Sequence, residues 1–330
     1  MQQNRDPAER PLALALQGGG SFGAFTWGVL DRLLAEPGLP FAAASGASAG
    51  AVNAVLLADG LLAGGREEAQ ARLARFWRLL SDRAGFAGLP VFGSILAAAD
   101  LHVPHFAMSL PGSDPLRELL GDLVDFTRLR KERPIPLLIA ATRVRDGEAR
   151  IFREDEITLE AVLASACLPM LREAVQIGGE DYWDGGYSAN PPLRELIRAS
   201  RADDLLLVQL APDERDTTPR LRQDIRHRSL EIAFSAPLKR ELQAIEDMKA
   251  LCREASLFRP RSCRAFERLR MHRLSLWESL EDAAGANPAN LSWPFVTRLA
   301  EAGRTAADRW RSPDAVPASE GAPLAKGGPA

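Results

Sequence analysis

Cysteine, histidine and a surplus of either charge are all scarce in this sequence, and each shortage excludes a class of function. The three cysteines, Cys167, Cys252 and Cys263, show neither CxxC spacing nor a Cys/His pattern of the kind that binds zinc. An odd, scattered set predicts reduced thiols inside a cell and no bridged framework. The four histidines (His102, His105, His227 and His272) are too dispersed for a metal centre, so neither a metal nor a cofactor is expected. Lys and Arg number 41 against 44 Asp and Glu, a net charge of -3. That balance excludes a strongly basic nucleic-acid binder.

Long hydrophobic runs are missing too. The most apolar stretch, 39–62, is interrupted by Asn53 and Asp59. A membrane-spanning helix needs roughly 20 predominantly apolar residues, so this stretch reads as core. Residues 1–10 are polar and carry no apolar segment of a secretion signal, which predicts a cytoplasmic protein, with contact at a membrane surface left open.

What is present reads as alternating strands and helices. Leu12 to Leu16 is a short apolar strand that stops at Gln17 and three glycines. Ala24 to Leu34 has helical spacing, and Phe41 to Ala44 is a second strand. A buried helix follows from Val52 to Leu62, then an amphipathic one from Glu67 to Leu80. Leu137 to Val144 is a further strand, and Asp146-Gly147 turns it into Ala149 to Phe152. A helix over 159–168 ends at Pro169, and a hairpin around Gly178-Gly179 delivers the chain to Asp184. Leu205 to Leu210 is the last clear strand; 211–311 reads as a helical extension of a core at 11–210. The Pro-, Gly- and Ala-rich end, 312–330, reads as a disordered tail. This pace argues for an α/β domain over 1–311, with a mostly parallel sheet between helices.

Three glycine-flanked motifs carry the chemistry. Gly46-Ala47-Ser48-Ala49-Gly50 falls between a strand and a helix, where G-x-S-x-G forms a nucleophile elbow. The glycines relieve crowding at a strained turn, and the following helix points its positive end at developing charge. Gly18 to Gly23 also lies between strand and helix. Its side-chain-free backbone could aim successive N–H groups at an oxyanion. It equally fits the G-x-G-x-x-G dinucleotide fingerprint, which wants an acidic residue about 20 positions later. The second strand instead ends in Ser45-Gly46-Ala47-Ser48, which disfavours a nucleotide. Asp184-Gly185-Gly186 supplies the base that an elbow serine needs. Each string alone also has a plain reading as a glycine turn.

In this order the three motifs resemble the bacterial patatin-like phospholipases. The likeness extends through Asn53 to Gly60, Ala140 to Phe152, Ala164 to Pro169, Tyr182 to Asn190 and the Glu231 to Ile245 helix, and so covers most of 11–311. It implies a three-layer fold with helices on both sheet faces and a carboxylic ester hydrolase acting on lipid esters. It further implies Ser48 as nucleophile, Asp184 as base, and Gly18, Gly19 and Gly20 as oxyanion-hole donors, with Gly46 and Gly50 shaping the elbow. Phe22 departs from the family at a loop position that often carries a basic residue.

An α/β-hydrolase triad with His227 or His272 after Asp184 is the rival within hydrolases. Against it, the nucleophile arrives on only the second strand, and both histidines stand in arginine-rich context that reads as helical. The segment 85–119 is apolar but broken by Pro and Gly, which suits either a lipid-contacting cap or plain cover of the sheet.

Overall fold

The computed structural model describes residues 10–87, 114–169, 171–215, 217–254, 261–280 and 287–312. Among the described residues eight strands form one sheet: β1 (Leu12–Leu16), β2 (Phe41–Gly46), β3 (Leu137–Arg143), β4 (Ala149–Arg153), β5 (Val175–Ile177), β6 (Glu180–Asp184), β7 (Asp204–Gln209) and β8 (Arg270–Ser275). Their order is β5-β6-β3-β2-β1-β7-β8, with β4 pairing β3 off this path. The run from β3 to β8 is parallel throughout. The pairings of β4, β5 and β6 are antiparallel. Strands β1 and β7 are buried along their whole length, which is why they read as unbroken apolar runs and not as alternating ones.

The helices among the described residues are α1 (Gly23–Leu34), α2 (Ala49–Ala87), α3 (Pro115–Leu123), α4 (Phe126–Glu132), α5 (Leu159–Ser165), α6 (Leu193–Ser200), α7 (Arg222–Glu254), α8 (Arg261–Arg268), α9 (Leu276–Ser279) and α10 (Trp293–Arg311). Strand alternation sorts them into two layers. Leu12, Leu14 and Leu16 of β1 join the core built with α1, α2 and α10. Ala13 and Ala15, on the opposite face, join Leu193, Leu196 and Ile197 of α6 and Leu238 and Ile245 of α7.

Gly64 and Gly65 leave helical geometry inside α2, so the two helices read from the sequence are its two halves. Asn53 stitches these parts together. Its Nδ2 donates to the carbonyls of Gly23 (3.1 Å) and Ala49 (2.9 Å), and its Oδ1 accepts from Trp77 Nε1 (3.2 Å). Asp59 is buried and ion-paired with Arg72 and with Arg128 (3.0 Å). Asn53 is thus hydrogen-bonded on both amide atoms, and the buried charge of Asp59 is compensated by two arginines, as burial requires.

Two expectations are corrected. The 211–311 stretch is not wholly helical, because β8 adds a parallel strand beside β7. Its arginines pair with acids of β7 and the loop beyond: Arg270 Nε with Asp204 Oδ1 (2.7 Å), and Arg273 with Asp213. Read along the sequence, arginine at this density looks like a solvated helix face. The expectation of three free thiols also fails: Cys252 and Cys263 form a disulfide, with Cα atoms 5.3 Å apart. Their approach depends on α7 and α8 folding back on each other, which spacing alone does not reveal. Cys167 is free and buried. Most of the expected cap at 85–119, with His102 and His105, lies outside the described residues, as does 313–330.

Candidate active site

β2 ends at Gly46 and α2 begins at Ala49, so the chain must reverse within two residues. Ser48 takes the strain, with φ +52 in the left-handed region that non-glycine residues avoid. A Cβ on Gly50 would overlap the Leu16 carbonyl, and one on Gly46 would overlap Gly50 itself. Only glycine fits either position. The Ser48 N–H is held by Ser165 at the end of α5, through both its carbonyl (3.1 Å) and its Oγ (3.0 Å). This double anchor is a feature that motif reading missed.

Asp184 lies 136 residues further along the chain. It reaches the elbow because β3 shares one edge between two neighbours. β4 occupies one edge of β3 from Leu138 to Thr142. The other edge pairs with β2 at Leu137 to Ile139 and with β6 at Ala141 to Arg143. Gly46 lies opposite Ile139 and Asp184 opposite Ala141, so the end of β6 abuts the end of β2.

The aspartate is held on all sides. Its N–H donates to the Cys167 carbonyl (2.8 Å), its carbonyl accepts from Thr142 Oγ1 (2.8 Å), and its Oδ1 accepts from the Gly186 N–H (2.7 Å). A Cβ on Gly185 would overlap the Ala140 carbonyl, and one on Gly186 the ring of Phe234 on α7. The second oxygen, Oδ2, has no hydrogen-bond partner of ordinary length and angle among the described residues. Complete burial pushes the carboxyl up to about 7, opposed by the Gly186 N–H and by the Ser48 hydroxyl, which acts on it as a donor.

The glycine loop divides its N–H groups. Gln17 directly follows β1 and accepts from the N–H groups of Leu210 (2.7 Å) and Ala211 (2.9 Å) through its Oε1. The Gly18 N–H donates to Asn190 Oδ1 (2.7 Å), which removes it from the expected donor set. A Cβ there would lie 2.7 Å from the Ala47 carbonyl, so Gly18 is needed for closeness to the elbow. Gly19 and Gly20 precede α1, and their N–H groups have no partner among the described residues. Gly20 has φ +60, and a Cβ on it would meet the Pro288 carbonyl at 2.6 Å. Two of the three expected donors are thus free.

Asn190 is the other residue that spacing did not announce. It is fully buried, and its Nδ2 donates to the Phe234 carbonyl (3.0 Å), so one amide ties the glycine loop to α7 behind Asp184. Removing it would strand two buried groups at roughly 1–3 kcal/mol each. Asn190→Ala is expected to lower kcat about 10- to 100-fold with KM nearly unchanged, since a loosened loop weakens interactions made only in the transition state. Full kcat in a folded variant would show that the loop holds itself.

Among the described residues, no hydrogen bond or ion pair joins either histidine of the rival triad to Ser48 or Asp184. His272 sits on β8, three strands from β2, or roughly 14 Å at about 4.8 Å per strand. Its Nε2 lies 2.9 Å from Asp204, whose carboxyl, despite burial, is held below the ordinary range by Arg270 and His272. His227 Nε2 is 3.9 Å from Glu231 on the same helix. His227→Ala and His272→Ala are each expected to keep ester hydrolysis within about threefold of wild type. A folded single variant without activity would restore the triad.

Residues 14–197 match the family model described as patatin-like phospholipase. YjjU of Escherichia coli (strain K12), an uncharacterized protein, is 25% identical over 228 residues, which is 63% of this chain and 54% of YjjU. The crystal structure of VipD from Legionella pneumophila aligns with a TM-score of 0.43 at 16% identity, covering 92% of this chain and 66% of that one. This chain therefore spans about half of YjjU and just under two thirds of the VipD chain.

Proposed function

The chain belongs to the patatin-like phospholipase family of lipid acyl hydrolases, and from that premise we propose that it cleaves lipid carboxylic esters with Ser48 as nucleophile and Asp184 as sole protein base. The observation that carries this reading is a fully buried carboxyl, raised to about 7, beside a serine in strained left-handed geometry. An ordinary aspartate near ~3.9 is too weak a base for a hydroxyl, and burial strengthens it.

In the first step Ser48 Oγ bonds to the ester carbonyl carbon and its proton passes to Asp184 Oδ2. The carbonyl oxygen becomes an oxyanion facing the Gly19 and Gly20 N–H groups, each worth roughly 2.7–4 kcal/mol in a preorganised site. The tetrahedral centre collapses, the C–O bond to the alcohol breaks, and Asp184 returns its proton to the leaving oxygen. Water then enters, gives its proton to Asp184 and attacks the acyl-enzyme. Ser48 leaves as the hydroxyl, reprotonated by the same carboxyl. The N-terminus of α2, directly after the nucleophile, adds its positive end throughout.

The acyl donor is a lipid ester, met in water or at a lipid surface. A fluorophosphonate probe tests the chemistry most directly. It is expected to add one phosphonyl group to wild type, located on Ser48 by peptide mass spectrometry, and none to Ser48→Ala. Labelling elsewhere, or hydrolysis of short- and long-chain esters by Ser48→Ala, would sink the reading.

A further inference from the structure

Every large hydrophobic side chain exposed among the described residues lies on α7 or at its start: Leu221, Ile225, Ile232, Met248 and Leu251. Leu221, Ile225 and Ile232 share one stripe. At 100° per residue, Ile225 and Ile232 fall within about 40° of Leu221, and the stripe runs roughly 16 Å. They are 63%, 46% and 51% exposed, whereas the same helix buries Leu238 and Ile245 in the core on its other side. Ordinary core demand does not account for three such side chains in a row.

The charge around the stripe selects the occupant. Residues 220–232 hold four arginines against Asp224 and Glu231, a local surplus of positive charge in a chain of net -3. Glu231 is already paired with Arg215 and Arg228. Arg220 and Arg222 are exposed, with no acidic partner among the described residues. Apolar side chains beside Arg220 and Arg222 match a lipid interface bearing anionic headgroups, where the stripe enters the acyl boundary and these two guanidinium groups meet phosphate. A second copy of this chain would place arginine against arginine on a two-fold face, and so fits less well.

We propose that the N-terminal half of α7 is the surface on which this protein docks to anionic lipid. The inference rests on the reading that the substrate is a lipid ester, and it adds where the enzyme meets that lipid. The position suits the purpose. Two residues after Ile232, the Phe234 ring packs on Gly186 and 4.7 Å from the Tyr187 ring, directly behind Asp184. Phe234 points to the face of the helix opposite the stripe, so a helix seated on a bilayer holds the catalytic loop about one helix diameter, roughly 10 Å, from the interface.

Docking and chemistry are tested separately. Binding is read on the Ser48→Ala protein by co-sedimentation with phosphatidylcholine vesicles, with and without phosphatidylglycerol. The parent is expected to bind the anionic vesicles best. Adding Ile225→Gln and Ile232→Gln should weaken that binding about tenfold or more, and Arg220→Ala with Arg222→Ala should abolish the preference for phosphatidylglycerol. In the Ser48 background of wild type, both pairs should leave a soluble short-chain ester rate within about twofold. Undiminished binding by the isoleucine variant, or no binding by the parent, overturns the proposal. So does a lowered melting temperature of the isoleucine variant, which would mean that the chain itself covers the stripe. A dimer of the parent that the variant splits would assign the stripe to a second copy. Loss of the soluble-ester reaction in wild type would instead remove the proposed chemistry and leave the vesicle result standing.

Discussion

Asp184→Asn is expected to lower kcat on a soluble ester by roughly 10⁴-fold and, above pH 7, to make the protein more stable. Asparagine keeps the shape and can still accept the Gly186 N–H, so the fold survives while the base is lost. Ser48→Ala should cost as much, and the double variant no more than either single one, because the two side chains act as one unit. The stability effect follows from burial. Asp184 is raised from 3.8 to about 7, so the folded state prefers the neutral carboxyl. The benefit of that preference is fully present below the unfolded value and is lost as pH rises through about 7, where the buried group must ionise. Asparagine never ionises. Near pH 8 to 9 it should therefore gain up to about 4 kcal/mol at about 1.36 kcal/mol per unit, and near pH 4 almost nothing. The wild-type kcat/KM profile should rise with pH through about 7 for the same reason. An Asn variant with near-normal turnover, or one with no pH-dependent gain in melting temperature, would show that Asp184 is not the buried base.

The largest loss of stability is expected at the crossing of α1 and α10. A Cβ on Gly28 would overlap the backbone of Ala300, and one on Gly303 would overlap the Phe25 carbonyl and lie 2.9 Å from the Val29 nitrogen. The two helices meet backbone to backbone with nothing to yield. Gly28→Ala or Gly303→Ala must push them apart, which disturbs the Trp27–Trp293 stack (centroids 6.2 Å apart) and the buried Val296 and Leu299. Each is expected to cost about 3 kcal/mol, toward the upper end of overpacking losses. Together they should cost less than the sum, because they share one contact. Activity should also fall, since Gly19 and Gly20 lie in the turn that leads directly into α1. Gly121→Ala in α3 is the control. Its Cβ would meet nothing within 4 Å, so it should gain up to about 1 kcal/mol from helix propensity. Urea unfolding of the three variants decides the matter, and a Gly28→Ala loss below about 1 kcal/mol would refute the tight crossing.

The central strands, the strand–glycine–helix junctions at 18–23 and 46–50, and the hairpin that ends in Asp184 are all legible in the order of residues. These signals are local. Buried parallel strands need unbroken apolar runs, and a strand-to-helix turn that approaches another backbone needs glycine. Gly46 and Gly50 were legible for that reason.

How the parts meet depends on contacts between distant segments. No spacing between Ser48 and Asp184 says that β2 and β6 share one edge of β3, and it is that shared edge which brings the two together. The Gly18 N–H looks like its neighbours in the sequence and differs only because Asn190, 172 residues away, accepts from it. β8 was hidden because arginines that pair with Asp204 and Asp213 resemble a solvated helix until β7 lies beside them. The Cys252–Cys263 bond was hidden for a similar reason, since only the fold-back of α7 onto α8 brings the two sulfurs together. In each case a long-range partner, and not the residue type, fixes what the group does, because a hydrogen bond, an ion pair or a strand pairing is a property of two positions and a sequence pattern describes only one.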